Sequence, residues 1–371
     1  MQKKLSNKEL QKVLKKYVNK QKRHTLSLYK ATDRDIERIF KAHQKEIEVI
    51  FRDYISGKVN TNIPFRFAEY PHLTRYFEPI RASLQVSLYT YTLDSINKAW
   101  EVANKDIAPI IKTVYPNTPT KKLTKYLSHN EAAKNAFIQR QISSGRTLKG
   151  RTWLLSKKYL REVEDTLTIG IRNGDSAERM GKRIAEYLNN PDKKIEDIAK
   201  IDSKPHKQLL EERLVKEGNT TSSNQRSTKK HAKTLARNET NLAYRNAETE
   251  RINKLDFIVG YEIKLSNAHP REDICDYVNG RYPKDFKWNS WHPSCLCYRV
   301  PILKTIEELA EDNVKILQGE EPTSDSVNAV KGIPDSAKQY FKENFERFNK
   351  YKNKPYFFED NLNIIKKLSY D

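Results

Sequence analysis

All three cysteines of this 371-residue chain fall in one short window, as Cys275, Cys295 and Cys297. His269 and His292, two of only eight histidines, lie in the same window, and each is followed by a proline. Thiolate and imidazole are the donors that a tetrahedral zinc site takes, and such a site needs its donors brought together by turns. Asn279-Gly280, Pro283 and Pro293 supply turn signals between them. The pattern predicts a structural Zn2+ site spanning residues 269–297, built from Cys275, Cys295 and Cys297 with a histidine. His292, just ahead of Cys295, is the preferred histidine and His269 the alternative; five candidates for four places leave one spare. A disulfide is disfavoured, because the count is odd and Cys295 and Cys297 stand one residue apart. Asp273 and Asp276, which flank Cys275, read as solvated turn residues. A catalytic zinc would need an open position and a nearby base, and nothing in the window marks one, so no catalytic residue is expected.

The elements that must position this window are mostly helical. A charged fraction of 32% against 37% hydrophobic implies thin cores and well-solvated helices, and the 11 glycines are too few for a barrel or sandwich of many tight turns. Residues 1–24 carry nine Lys/Arg against Glu9 alone. Ser6 and Glu9 have capping-box spacing, and Leu10, Val13, Leu14, Tyr17 and Val18 share one face of the helix that follows. Further helices are expected from Thr32 to Gly57, from Ile80 to Asn104, and in two short runs before Ser143-Ser144-Gly145, where a boundary is expected. Beyond it, a helix from Trp153 ends at Asn173-Gly174 and another begins behind a cap at Asp175 or Ser176; a helix over 204–217 and a mobile polar loop over 219–227 follow. A helix over 228–255 contains Arg237, Glu239, Tyr244, Arg245 and Glu248, which read as the bonds locking it to the zinc window rather than as an active site. Strands over 258–265 and 298–302 bracket the window, and helices over 305–317 and 335–351 lead to a tail whose Tyr356, Phe357, Phe358, Ile364 and Ile365 dock on the chain. The fold class expected is mainly α: an extended helical region over 1–150, a small zinc-stapled α+β domain over 151–303 and a helical tail over 304–371.

The formal net charge of +21 favours a polyanionic neighbour, whether nucleic acid, an anionic surface or an acidic protein. No apolar run reaches the ~20 residues that span a bilayer, and the basic start has no apolar stretch behind it, so neither anchor nor leader is expected.

The ordered set IGIRNGDSAERMGKRIAEYL, LARNETNLAYRNAE, CDYVNG and WHPSCLCYRVPI resembles the phage head morphogenesis family, the minor head proteins named for the F protein of phage Mu. The resemblance covers residues 153–303, and His-Pro-x-Cys-x-Cys before a strand is its most specific part. Family members often carry a cysteine pair before the Asn-Gly turn; here Glu272 takes the first place, and His269 is the substitute. The resemblance implies a low-copy minor capsid protein rather than an enzyme. Such a protein binds the portal protein and other head proteins during procapsid assembly in the host cytoplasm. It then stays in the capsid interior, where it contacts packaged double-stranded DNA without sequence preference and serves packaging or ejection. The competing expectation is a zinc-containing nuclease of the His-Asn-His type, or a non-specific DNA-binding protein.

Overall fold

The computed structural model describes residues 5–55, 60, 62–116, 118–128, 130–216, 227–267, 272–351 and 354–368. Among these residues the fold is mainly helical with one small antiparallel sheet. Two helices of 44 residues dominate its first third, α1 (Asn7–Ile50) and α2 (Pro71–Val114). The start of α1 is capped as expected, the Glu9 amide donating to Ser6 Oγ over 3.2 Å. Sequence patterning divides this stretch near Thr32, but Thr32 is buried in the middle of α1 and the helix runs on. Neither glycine nor proline interrupts residues 7–50, so one face buries Leu10, Tyr17, Gln21, Ile36, Phe40, His43 and Ile47 in helical spacing. Likewise α2 passes through Pro79 and Pro109, because the residues beside each, Phe77 and Ile80, Ile107 and Ile110, are buried. Packing there outweighs the lost amide.

The chain forms two compact units that do not follow the serial division expected from its patterning. One comprises residues 30–93 and 146–236, the other residues 1–29, 94–145 and 237–371. The boundary anticipated at Ser143-Ser144-Gly145 coincides with one border; the others fall inside helices, where no turn residue marks them.

The first of these units adds α5 (Leu148–Arg172), α6 (Ala177–Asn189), α7 (Pro191–Ala199) and α8 (Lys204–Lys216). Gly174, at φ +69°, turns the chain after α5, and Ser176 caps α6 by accepting from the Arg179 amide. Its main core gathers Ile36, Phe40, Phe51, Phe77, Leu84, Tyr159, Val163 and Ile184. Beside a second cluster of Ile169, Tyr187, Ile198 and Leu210 lies a buried set of charges. Arg183 bonds both Asp175 and Asp197 at 2.6 Å, Arg213 bonds Asp165 at 2.6 Å and Glu164 at 2.8 Å, and Lys194 also reaches Asp165. The polar loop expected over 219–227 lies outside the described residues except for Ser227.

The second unit contains α3 (Thr120–Leu127), α4 (Glu131–Gln139) and most of α9 (Thr228–Asn253). Three strands follow: β1 (Ile258–Lys264), β2 (Gly280–Tyr282) and β3 (Tyr298–Leu303), with α10 (Ile274–Tyr277) between β1 and β2. The sheet order is β2-β1-β3, antiparallel throughout, with Tyr261 opposite both Tyr282 and Pro301. Four helices close the unit: α11 (Ile306–Leu317), α12 (Asp335–Lys350), α13 (Tyr356–Asp360) and α14 (Leu362–Leu368). The tail docks as expected, burying Phe357, Phe358 and Ile365 against Phe286, Trp288, Trp291, Phe341 and Phe348. Asn361 fixes it, donating to the Lys287 carbonyl at 2.8 Å and accepting from the Lys287 amide at 2.7 Å. Among the described residues no helix is long and apolar enough to cross a membrane.

Candidate metal centre

Two tight backbone features aim the soft donors. Asp273 caps the four-residue α10, its Oδ1 accepting from the Cys275 amide at 2.8 Å, while Asp276 accepts from the Asp273 amide at 2.8 Å. That reciprocal box holds a helix too short to stand alone and fixes Cys275 on its first turn. The second feature is the turn from His292 to Cys295, closed by the Cys295 amide donating to the His292 carbonyl at 3.2 Å. Pro293 presets one dihedral of this turn, and Ser294 occupies the left-handed region at φ +65°. A non-glycine residue held there is strained, and such strain concentrates at functional sites.

These features bring together Cys275, His292 and Cys295, whose donor atoms all lie within 4.8 Å of one another. The Cys275 and Cys295 sulfurs are 3.8 Å apart, and Cys275 Sγ is 3.2 Å from His292 Nε2. Two thiolates bound tetrahedrally at zinc–sulfur distances of ~2.3 Å would stand ~3.8 Å apart, so the cluster fits a small four-coordinate cation. His292 Nδ1 lies 2.9 Å from the Pro293 carbonyl, and in the tautomer protonated at Nδ1 the Nε2 lone pair would face the thiols. The three residues can hold a metal ion. Cys297 is buried and its thiol interacts with those of both Cys275 and Cys295, though it stands outside the tightest group. His269 lies outside the described residues.

Asp273 departs from the expectation of a solvated turn residue, because its Oδ2 sits 3.2 Å from His292 Nε2. One carboxylate thereby caps the helix that carries Cys275 and faces the imidazole across the cluster. Sequence spacing gives no sign of this, since Asp273 and Asp276 differ only in which turn of the backbone they face.

The electrostatics of the thiols are uneven. Hydrogen bonding to Cys295 and Cys297, and then burial, push the Cys275 thiol far up. Burial also opposes ionisation of Cys295, but the hydrogen bonds of Cys275 and Cys297, with the charge of Arg245, outweigh it and hold Cys295 down. A single negative charge is thus favoured on the three sulfurs, and a dication is what would let more of them ionise together.

Helix α9 holds the backbone of this loop. Arg245 donates to the carbonyls of Asn289 at 2.9 Å, Cys295 at 2.9 Å and Cys297 at 2.7 Å, and Asn241 donates to the Cys295 carbonyl at 3.0 Å. The Arg245 guanidinium also lies over the Trp288 ring, 4.3 Å from its centre. One turn further along α9, Glu248 faces Arg299 at 3.6 Å and accepts from Gln21 at 2.5 Å and from Tyr17. Arg299 in turn covers Tyr261 at 4.5 Å and donates to the Trp288 carbonyl at 2.5 Å. Of the five α9 residues read as a lock, Arg245 bonds the window directly and Glu248 reaches it through Arg299. Glu239 pairs with Arg140 at 2.8 Å, Tyr244 with Asp106 at 3.1 Å, and Arg237 lies over the Tyr29 ring. Asn241 is a member that sequence reasoning missed, although it sits one helical turn before Arg245, where it must share its face.

Neither a family model, nor a curated protein, nor a solved structure matches this chain.

Proposed function

We propose that the chain is a phage minor head protein whose Cys/His cluster is a structural zinc site. One observation carries this reading: the LARNETNLAYRNAE helix and the HPSCLC turn, two of the four ordered features of the resemblance and the second its most specific, close on each other. Asn241 and Arg245 of the first bond the carbonyls of Cys295 and Cys297 in the second. Motifs some fifty residues apart that share buried hydrogen bonds form one device rather than two coincidences.

Cys275, Cys295 and His292 would hold the zinc ion, with Cys297 as the fourth donor and Asp273 or His269 as alternatives. Bound there, the ion supplies a cross-link between α10 and the turn before β3, and a positive charge that keeps the thiolates ionised. The net charge of +21 supports contact with packaged double-stranded DNA that weakens steeply with salt. The portal protein is the assembly partner, and the capsid interior the final location.

Crosslinking mass spectrometry on purified procapsids tests the reading, with this chain counted against the portal. A few copies per particle, crosslinked to the portal, are expected. Absence from particles overturns the reading, and metal-dependent nicking of plasmid by the purified protein would put a nuclease in its place.

A further inference from the structure

Within the second unit, the start of α1 and the end of α2 enclose a groove of 590 Å3. Leu5, Val13 and Tyr17 form its apolar floor, and Lys12, Lys16 and Lys112 stand along it. Tyr17 is buried and Leu5 and Val13 are half-buried, so two apolar side chains remain open to water between three ammonium groups. Four lysines line the groove against two carboxylates, Glu9 and Asp106. Lys12, Lys16 and Lys112 form no ion pair with any described residue, whereas Lys20 at the far end lies 3.9 Å from Asp106. Asp106 is itself occupied, by His24 at 2.7 Å and by the Tyr244 hydroxyl at 3.1 Å. Glu9 is turned toward Ser6 in the helix cap.

We propose that this groove receives an acidic amphipathic helix from a protein partner. Apolar residues at helical spacing would cover Leu5 and Val13, and carboxylates on the flanks would meet Lys12, Lys16 and Lys112. The combination selects against other occupants. A nucleic-acid backbone would satisfy the lysines but offers nothing to cover the apolar floor. The acidic helix of a second copy, α11 with Glu307, Glu308 and Glu311, already buries its own Leu309 and Ile316. Residues 1–4 of the chain carry Lys3 and Lys4, of the same sign as the groove. The inference stands on the groove alone and survives failure of the minor head reading.

The test uses full-length, metal-loaded protein and a fluorescein-labelled helical peptide about four turns long, with leucines at helical spacing and glutamates on both flanks. Anisotropy is read against a peptide of the same composition with the leucine spacing scrambled, a peptide with lysines for the glutamates, and a DNA duplex. The patterned acidic peptide is expected to bind, and the combined variant Lys12→Glu, Lys16→Glu, Lys112→Glu to weaken it by about tenfold. The triple Lys→Gln variant is expected to give a smaller loss at unchanged helicity and metal content. No binding of the patterned peptide, or equal binding of the scrambled one, overturns the proposal. So does a DNA duplex that displaces the peptide and loses its affinity in the same variants, which would mark a phosphate-binding surface instead.

Discussion

Both units bury ion pairs, including Lys304 with Asp312 and Arg299 with Glu248 in the one that holds the Cys/His cluster, but they differ in where else their buried cations point. In the unit containing α5–α8, charge meets charge: Asp165 is shared by Lys194 and Arg213, and Arg183 joins Asp175 to Asp197. In the unit containing the candidate metal centre, charge also meets backbone: Arg245 directs its donors to three carbonyls of an irregular loop, and Arg299 donates to another. Regular helices satisfy their own carbonyls, so helical packing leaves side-chain charges to pair among themselves. A loop that presents metal donors leaves carbonyls open, and only long donors from a neighbouring element can reach them. The first arrangement fails by leaving a buried charge alone; the second fails by releasing a loop.

That contrast can be broken experimentally, beginning at the cluster. Cys295→Ser is expected to abolish metal binding and loosen the aromatic core around Trp288 and Trp291. Apparent zinc-binding energies of ~10 kcal/mol or more are available to couple to folding at such sites. Metal content and the near-ultraviolet dichroism of the tryptophans read this, and an unchanged dichroism would mean that the loop holds without the ion. Next, Lys194→Met removes one of two cations from Asp165, leaving Arg213 in place, and is expected to cost about 1–3 kcal/mol in urea unfolding, with metal content untouched. Loss of metal in that variant would erase the distinction between the units. Arg245→Gln should do the reverse, lowering metal affinity by about 10–100-fold in competition with a chromophoric chelator.

Gly280→Ala sharpens the comparison by straining the loop without touching a donor. Gly280 has φ +135°, and an added Cβ would lie 2.7 Å from Pro334 Cγ, so a loss of about 1–3 kcal/mol is expected in thermal unfolding. The smallest effect concerns His206, buried beside Ser203 with its ring nitrogen 2.7 Å from the hydroxyl. Burial, aided by the charge of Arg172, holds its pKa below the usual imidazole range, against the opposing pull of Asp202 and the Ile63 backbone. The folded state therefore prefers the neutral ring. Its contribution to stability is complete above the unfolded pKa of ~6.5 and declines as pH falls through that value toward the folded pKa. Urea midpoints between neutral and mildly acidic pH should drop in the native chain and drop less in His206→Gln.

The helical class, the bracketing strands and the clustering of Cys275, His292 and Cys295 were legible because each has a local signature: period, turn residue, donor type. Gly174 marked a helix end for the same reason, and of the two caps that the sequence offered, Asp175 and Ser176, it is Ser176 that starts the next helix. The three-residue β2 has too few residues to show alternation, and α7 hides behind Asn190-Pro191, where a proline that ends one helix begins the next. The discontinuous units were illegible, because residues 1–29 join residues 237–371 through packing that no neighbour in sequence announces. Thr32 shows the limit at a single position: its side chain suits a helix cap, yet it is buried in mid-helix, and burial there is decided by partners far away in the chain.

The discontinuity of the units also sets an order in time. The unit of residues 30–93 and 146–236 has every part in hand once residue 236 has been synthesised, whereas the other waits for α13 and α14, which complete the core beneath Trp291. At ordinary elongation rates that interval is on the order of 10 s. At its start the opening lysine-rich helix has the end of α2 but lacks the later part of the core around Leu10 and Tyr17, from Ile252 to Ile316, and Cys275, Cys295 and Cys297 emerge before the tail that encloses their loop. The chain is therefore most open to a ribosome-associated chaperone, and its thiols to solvent, in the last third of its synthesis.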